Sequence, residues 1–120
     1  MATLYWMQTG ACGGETLTIL SAQSPSFEAL LSDYAIDLLW HPSLSHVSPR
    51  RHDEIRREIV EGTRPLDILC VEGSVIRGPN GTGAFHRLAG TGDAMLVWIT
   101  RLAGKAKHVV AVGTCAAFGG

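Results

Sequence analysis

Hydrophobic and polar positions along this chain alternate between two periods. Residues 3–8 (TLYWMQ) are apolar on both sides of an extended chain, the pattern of a strand in a parallel sheet covered on both faces. Residues 36–40 (IDLLW), 66–71 (LDILCV) and 108–112 (HVVAV) are three further apolar runs of strand length. Between these runs the spacing is helical. Residues 15–21 (ETLTILS) predict a short helix after Gly13 and Gly14, and residues 27–31 predict a helical turn after the start signal Ser24-Pro25-Ser26. Ser48 and Pro49 open a longer helix as N-cap and first helical residue. That helix carries Ile55, Ile59 and Val60 on one face and pairs Asp53 with Arg57 on another, until Gly62 ends it. Met95, Trp98, Ile99 and Leu102 fall at i, i+3, i+4 and i+7, a core stripe between the expected cap Asp93 and the stop at Gly104.

Strands alternating with helices predict an α/β fold with a parallel sheet, its helices forming the crossovers. Residues 1–120 read as one domain, without an internal repeat or linker. The stretch from Gly78 to Gly92 holds five glycines and reads as a long loop, a length that is uncommon unless it serves a function.

Composition narrows the function. With 46% hydrophobic and 18% charged residues the chain is too apolar to be disordered. Ten basic against eleven acidic side chains give a net charge of −1, without the basic run of a non-specific nucleic-acid binder. No apolar run approaches the roughly 20 residues that span a bilayer. The N-terminus carries no basic leader, so a cytoplasmic location is expected. Three cysteines, Cys12, Cys70 and Cys115, do not make a disulfide framework.

In open parallel sheets, sites form outside the carboxyl ends of the strands. Three glycine-flanked segments stand just past predicted strand ends: residues 10–15 (GACGGE), residues 72–74 (EGS) and residues 113–115 (GTC). Parallel strands would bring all three to one edge, with Cys12 and Cys115 sharing a crevice. Glycines let backbone amides approach whatever the sulfurs hold. A strand-to-helix turn also favours a thiolate at Cys12. Thiolates with amide donors suit an iron–sulfur cluster, and they equally suit ordinary structural cysteines. Two thiols alone do not complete a four-thiolate site.

The segment from Trp6 to Glu15 (WMQTGACGGE) resembles the opening motif of [NiFe]-hydrogenase small subunits. Residues 71–74 (VEGS) resemble their second signature, and residues 113–120 (GTCAAFGG) their third. Residues 41–45 (HPSLS) also fit, and the four segments stand in the family's order over nearly the whole chain. The resemblance implies a flavodoxin-like N-terminal domain, with helices on both faces of its sheet, holding a proximal [4Fe-4S] cluster. It implies electron relay between a nickel–iron centre in a large subunit and further iron–sulfur clusters, with hydrogen uptake the favoured direction. Such a chain would have no hydrogen-activating site of its own. Its partners would be the large subunit and a further iron–sulfur domain or subunit, through which it could associate with a membrane. By the same resemblance Cys12 and Cys115 are cluster thiolates, Glu72 is the acidic residue near the cluster, and Gly13 and Thr114 line it.

The chain departs from the family where a second cysteine usually follows the first by three residues: Glu15 stands there. Glu15 is either an oxygen donor to iron or a first-turn carboxylate favoured by the helix dipole. Gly14 and Gly120 occupy positions where oxygen-tolerant relatives have extra cysteines, so a six-cysteine cluster is not expected. A fourth family cysteine would lie past Gly120. Two rival readings follow. One is a non-redox docking module with a degenerate site that only binds the large subunit; the other is an anion binder using the turn at residues 10–14. The remaining candidates read as bland. Cys70 belongs to a strand core, and Trp6, Trp40 and Trp98 to the core with polar partners for their indoles. His41, His46 and His52 read as loop histidines, and His86 as facing a partner or solvent. His108 is expected to begin the last strand. The glycines at 78–83 lack the Lys-Ser/Thr of a phosphate loop.

Overall fold

The computed structural model describes residues 1–119, so the reading made for Gly120 lies outside the described residues. Four strands, β1 (Ala2–Gln8), β2 (Ile36–Trp40), β3 (Leu66–Glu72) and β4 (Ala106–Val112), form one sheet in the order β2-β1-β3-β4. Every neighbouring pair is parallel. Helices α1 (Gly14–Leu20) and α2 (Phe27–Asp33) connect β1 to β2, α3 (Pro49–Glu61) connects β2 to β3, and α4 (Met95–Ala103) connects β3 to β4. A short helix, α5 (Thr114–Phe118), follows β4. This is the α/β architecture expected, with the strand order of the first four strands of a flavodoxin-like sheet.

Strand pleating divides the core in two. Tyr5, Met7, Leu69 and Val71 point to the face covered by α3 and α4, where Ile55, Ile59, Trp98, Ile99 and Leu102 pack on them. Leu4, Trp6 and Cys70 point to the opposite face, with Ile19 and Val112 against them. The Met95, Trp98, Ile99 and Leu102 stripe is buried throughout. Burial pushes the Cys70 thiol up to about 11, as its place in the core requires.

Helix α3 begins and ends as its residues dictate. Ser48 Oγ accepts from the Arg51 amide at 3.1 Å, and Gly62 takes the left-handed conformation that closes the helix. Ser26 caps α2 in the same way by accepting from the Ala29 amide. Two expectations fail locally. Asp93 does not cap α4; Ala94 holds the cap position, and the Asp93 carboxylate instead accepts from the Trp98 indole at 3.1 Å. Tertiary burial of the indole outcompetes the cap. Strand β4 begins at Ala106, two residues before His108.

β1 and β3 lie side by side, yet the chain leaves them in opposite directions along the sheet, β1 toward β2 and β3 toward β4. The crevice at their carboxyl ends is therefore the topological switch point, where open α/β sheets bind their ligands.

Candidate functional site at the switch point

The turns after β1 and β3 are sewn together. The Thr9 amide donates to the Glu72 carbonyl at 2.8 Å, the Gly10 amide to the Ser74 carbonyl at 2.8 Å, and the Ser74 amide back to the Gly10 carbonyl at 3.2 Å. Gly73 sits at φ +91°, and a Cβ there would stand 2.5 Å from the Cβ of Ala11, so this approach needs glycine. The turn after β4 closes on the same corner. Gly113 has φ +85°, and a Cβ on it would lie 2.2 Å from Oε1 of Glu15. The first turn of α1 thus rests its carboxylate on the backbone that leads into Thr114 and Cys115.

The three glycine segments therefore meet at one edge, as the parallel arrangement demanded. Cys12 is exposed, with the Gly14 amide donating to its sulfur at 3.4 Å, and Gly13 caps α1 in the left-handed region. Glu15 and Cys115 are half-buried, and Thr114 opens α5 on the surface. A cavity of about 350 Å³, lined by Gly14, Glu15, Thr18, Ile19 and Val112, lies against Glu15.

Glu72 is placed differently from its neighbours: its side chain is fully buried beneath this edge. Its Oε1 accepts from the Trp6 indole at 3.1 Å, from Gln8 Nε2 at 3.2 Å and from the Thr16 hydroxyl, and its Oε2 accepts from the Thr16 amide at 3.3 Å. Burial alone would raise its pKa; the hydrogen bonds from Thr16, Trp6 and Gln8 outweigh that and hold it below the usual carboxylate value. His41 stands behind Thr16. Its Nδ1 accepts from the Ser43 amide at 3.0 Å, which leaves the proton on Nε2, 3.3 Å from Thr16 Oγ1. Burial lowers the His41 pKa against the pull of Glu72, so the ring is neutral.

His41 does stand in the loop after β2 but is only 1% exposed, and the loop-histidine reading is corrected for His52, which lies within α3 stacked on Trp40. Thr16 and Gln8 were not singled out by the sequence. The signal available was position: Gln8 ends β1, and His41 directly follows β2 on the edge where the glycine segments meet.

The residues at this edge can be tested against an iron–sulfur cluster. The donor chemistry fits: two thiols and a carboxylate stand on glycine turns, and the Gly14 amide donates to the Cys12 sulfur. The donor number does not complete a four-ligand site, and among the described residues no three His, Cys, Asp or Glu side chains are gathered as a metal-holding group.

A parallel α/β domain with its glycine turns and thiols at the switch point defines a class, and sequence comparison gives it a family. The sequence model of the family described as "NADH ubiquinone oxidoreductase, 20 Kd subunit" matches residues 12–120, and the chain belongs to that family. Within this class its relatives include hydrogenase small subunits. It is 29% identical over 115 residues to the Hydrogenase-2 small chain of Escherichia coli K12, covering 96% of this chain and 30% of that protein. It is 31% identical over 127 residues to the periplasmic [NiFeSe] hydrogenase small subunit of Desulfomicrobium baculatum, covering 99% of this chain and 39% of the relative. Among solved structures, the [NiFeSe] hydrogenase of Desulfovibrio vulgaris Hildenborough superimposes with a TM-score of 0.84 at 28% identity, over 99% of this chain and 42% of that one. The actinobacterial-type NiFe-hydrogenase of Ralstonia eutropha H16 gives 0.80 at 27% identity, over 99% and 38%. The resemblance read from the four motifs is thereby borne out, and the chain spans between 30 and 39% of the length of these curated relatives.

Proposed function

We propose that this chain is the N-terminal domain of the electron-transfer small subunit of a [NiFe] hydrogenase. The observation that carries the reading is the meeting of three glycine turns, bearing Cys12, Glu15 and Cys115, at the switch point of the sheet. Cys12 and Cys115 would supply thiolates and Glu15 an oxygen donor to a proximal [4Fe-4S] cluster, with Gly13 and Thr114 lining it and a further ligand from outside these residues. When bound, such a cluster stores and passes single electrons. The protein's own part is to hold the thiols on turns with little freedom, to aim amides at sulfur, and to keep the Glu72 carboxylate buried and charged beneath them. Hydrogen uptake through a nickel–iron centre in a large subunit, and relay to further iron–sulfur clusters, follow as proposals from the relatives. So does burial of the Cys12 and Cys115 edge against that partner.

No helix among the described residues is long and apolar enough to cross a membrane, and all three cysteines are free. A cytoplasmic location, with membrane association through partners, is part of the proposal, although one relative is named periplasmic. Glu15, standing where a thiolate is usual, favours a second reading: a docking module whose site no longer holds a cluster. Iron and acid-labile sulfide in the anaerobically purified complex decide between them. Cys12→Ser and Cys115→Ser are each expected to lower the iron and sulfide of a complex that still assembles by the content of one [4Fe-4S] cluster. An intact complex whose iron and sulfide content neither substitution changes would leave the docking reading standing.

A further inference from the structure

The glycine-rich loop between β3 and α4 carries the only asparagine of the sequence, Asn80, and a glycine follows it. Both residues are exposed. They are the central pair of a tight turn: the Thr82 amide donates to the Pro79 carbonyl at 3.0 Å, with Asn80 at φ +51° and Gly81 at φ +77°. Positive φ at both central residues is the type I′ arrangement, for which Asn-Gly is a preferred pair.

The turn is held from its flanks. The Thr82 hydroxyl donates to the Pro79 carbonyl at 2.6 Å and accepts from the Ala84 amide at 3.2 Å, and the Gly83 amide donates to the Arg77 carbonyl at 2.9 Å. Its centre is left open. Among the described residues the Asn80 carboxamide has no hydrogen-bond partner and the Gly81 amide no acceptor, and a Cβ on Gly81 would meet nothing within 4 Å. Two groups that react with each other thus stand side by side in water. The amide nitrogen after an asparagine is an intramolecular nucleophile toward the side-chain carbonyl carbon, at the high effective concentration of a tethered group. Glycine, without a Cβ, leaves that approach unhindered.

We propose that Asn80 is a site of spontaneous covalent modification, deamidation through a cyclic imide, with water as the only co-reactant. The Gly81 nitrogen loses its proton to solvent and bonds to Cγ of Asn80. The carboxamide C–N bond breaks, and its nitrogen takes up a proton and leaves as ammonia. Water then opens the imide: addition at Cγ gives aspartate, and addition at the backbone carbonyl gives isoaspartate. Nothing is oxidised or reduced. Either product replaces a neutral amide by a carboxylate. Isoaspartate also lengthens the main chain by a methylene inside the turn, which breaks the Thr82–Pro79 closure. The site does not depend on a cluster.

The folded full chain, kept in warm, mildly alkaline buffer, is expected to form one more acidic species on isoelectric focusing. Mass spectrometry should find aspartate and isoaspartate at position 80 in it. Because the folded turn leaves the reacting pair open, the rate should lie within about tenfold of that in the urea-unfolded chain. Asn80→Ser, which has no carboxamide, should form no such species. Gly81→Ala, compared with wild type in urea so that its strained φ does not enter, should form it at least about tenfold more slowly. No acidic species, an equal yield from Asn80→Ser, an unchanged rate in Gly81→Ala, or a folded chain protected by more than tenfold would each overturn the proposal.

Discussion

Two buried charges flank β1, and they are satisfied in opposite ways. On the α1 side the Glu72 carboxylate is fully buried with no cation bonded to it among the described residues; neutral donors from Trp6, Gln8 and Thr16 surround it. On the α3 side the Arg56 guanidinium, 3% exposed, pairs with Asp53 at 3.1 Å, donates to His52, and lies 5.1 Å over the ring of Trp98. Glu72 is held by partners 56 to 66 residues away, Arg56 largely by residues three or four positions back on its own helix. Arg56 even leaves its Nε without a partner. The anion is thus bound into the fold from several elements, and the cation is a local device that the fold could replace.

The largest test removes the anion. Glu72→Ala strands the Trp6, Gln8 and Thr16 donors, and urea unfolding should show a loss of about 3–5 kcal/mol, with about 1–3 kcal/mol for Glu72→Gln, which keeps one acceptor. Arg56→Met should cost less, about 1–2 kcal/mol: Asp53 is partly exposed and keeps Arg57, so no buried charge is left alone, and only His52 Nδ1 loses its donor. A cost for Arg56→Met as large as that for Glu72→Ala would break the comparison.

pH sharpens it further. The Glu72 pKa is lowered on folding, so its stabilisation is present above about pH 4.5, the ordinary carboxyl value, and is lost as pH falls below it. His52 is lowered from 6.5 to about 4, so between those values the unfolded chain takes up a proton that the folded one refuses. Stability should therefore fall with pH across that window. His52→Gln should lessen the fall between pH 6.5 and 4.5, leave the share that His41 contributes in the same direction, and leave the Glu72 loss below it, as read by urea midpoints. The smallest effect belongs to the exposed rim of α3: Arg57→Ala removes a 2.7 Å pair with Asp53, and its urea midpoint should not move measurably at physiological salt.

The same contrast separates what could be read in the residues from what could not. Ser48, Pro49 and Gly62 announced α3 because caps act within a few residues, and the buried stripe of α4 followed from its 3.6-residue period. The meeting of the glycine segments was legible too, because parallel strands leave their carboxyl ends together. Asp93 misled, since its choice between the helix cap and the Trp98 indole was made by packing. His41 misled for the same reason, since nothing near it in sequence says that Thr16 will be beside it; the place of His52, four residues before Arg56, was already implied by the helix that Ser48 and Gly62 announced.

Periodicity, caps and glycine placement are local properties, and they determined the strands, the helices, their order and the edge where Cys12, Glu15 and Cys115 stand. Burial is a property of elements brought together across 25 to 66 residues, and only the tertiary structure decided that Glu72 and His41 lie beneath that edge. A desolvated carboxylate or imidazole is stable only where its hydrogen-bond partners converge, and those partners come from β1, α1 and the end of β2.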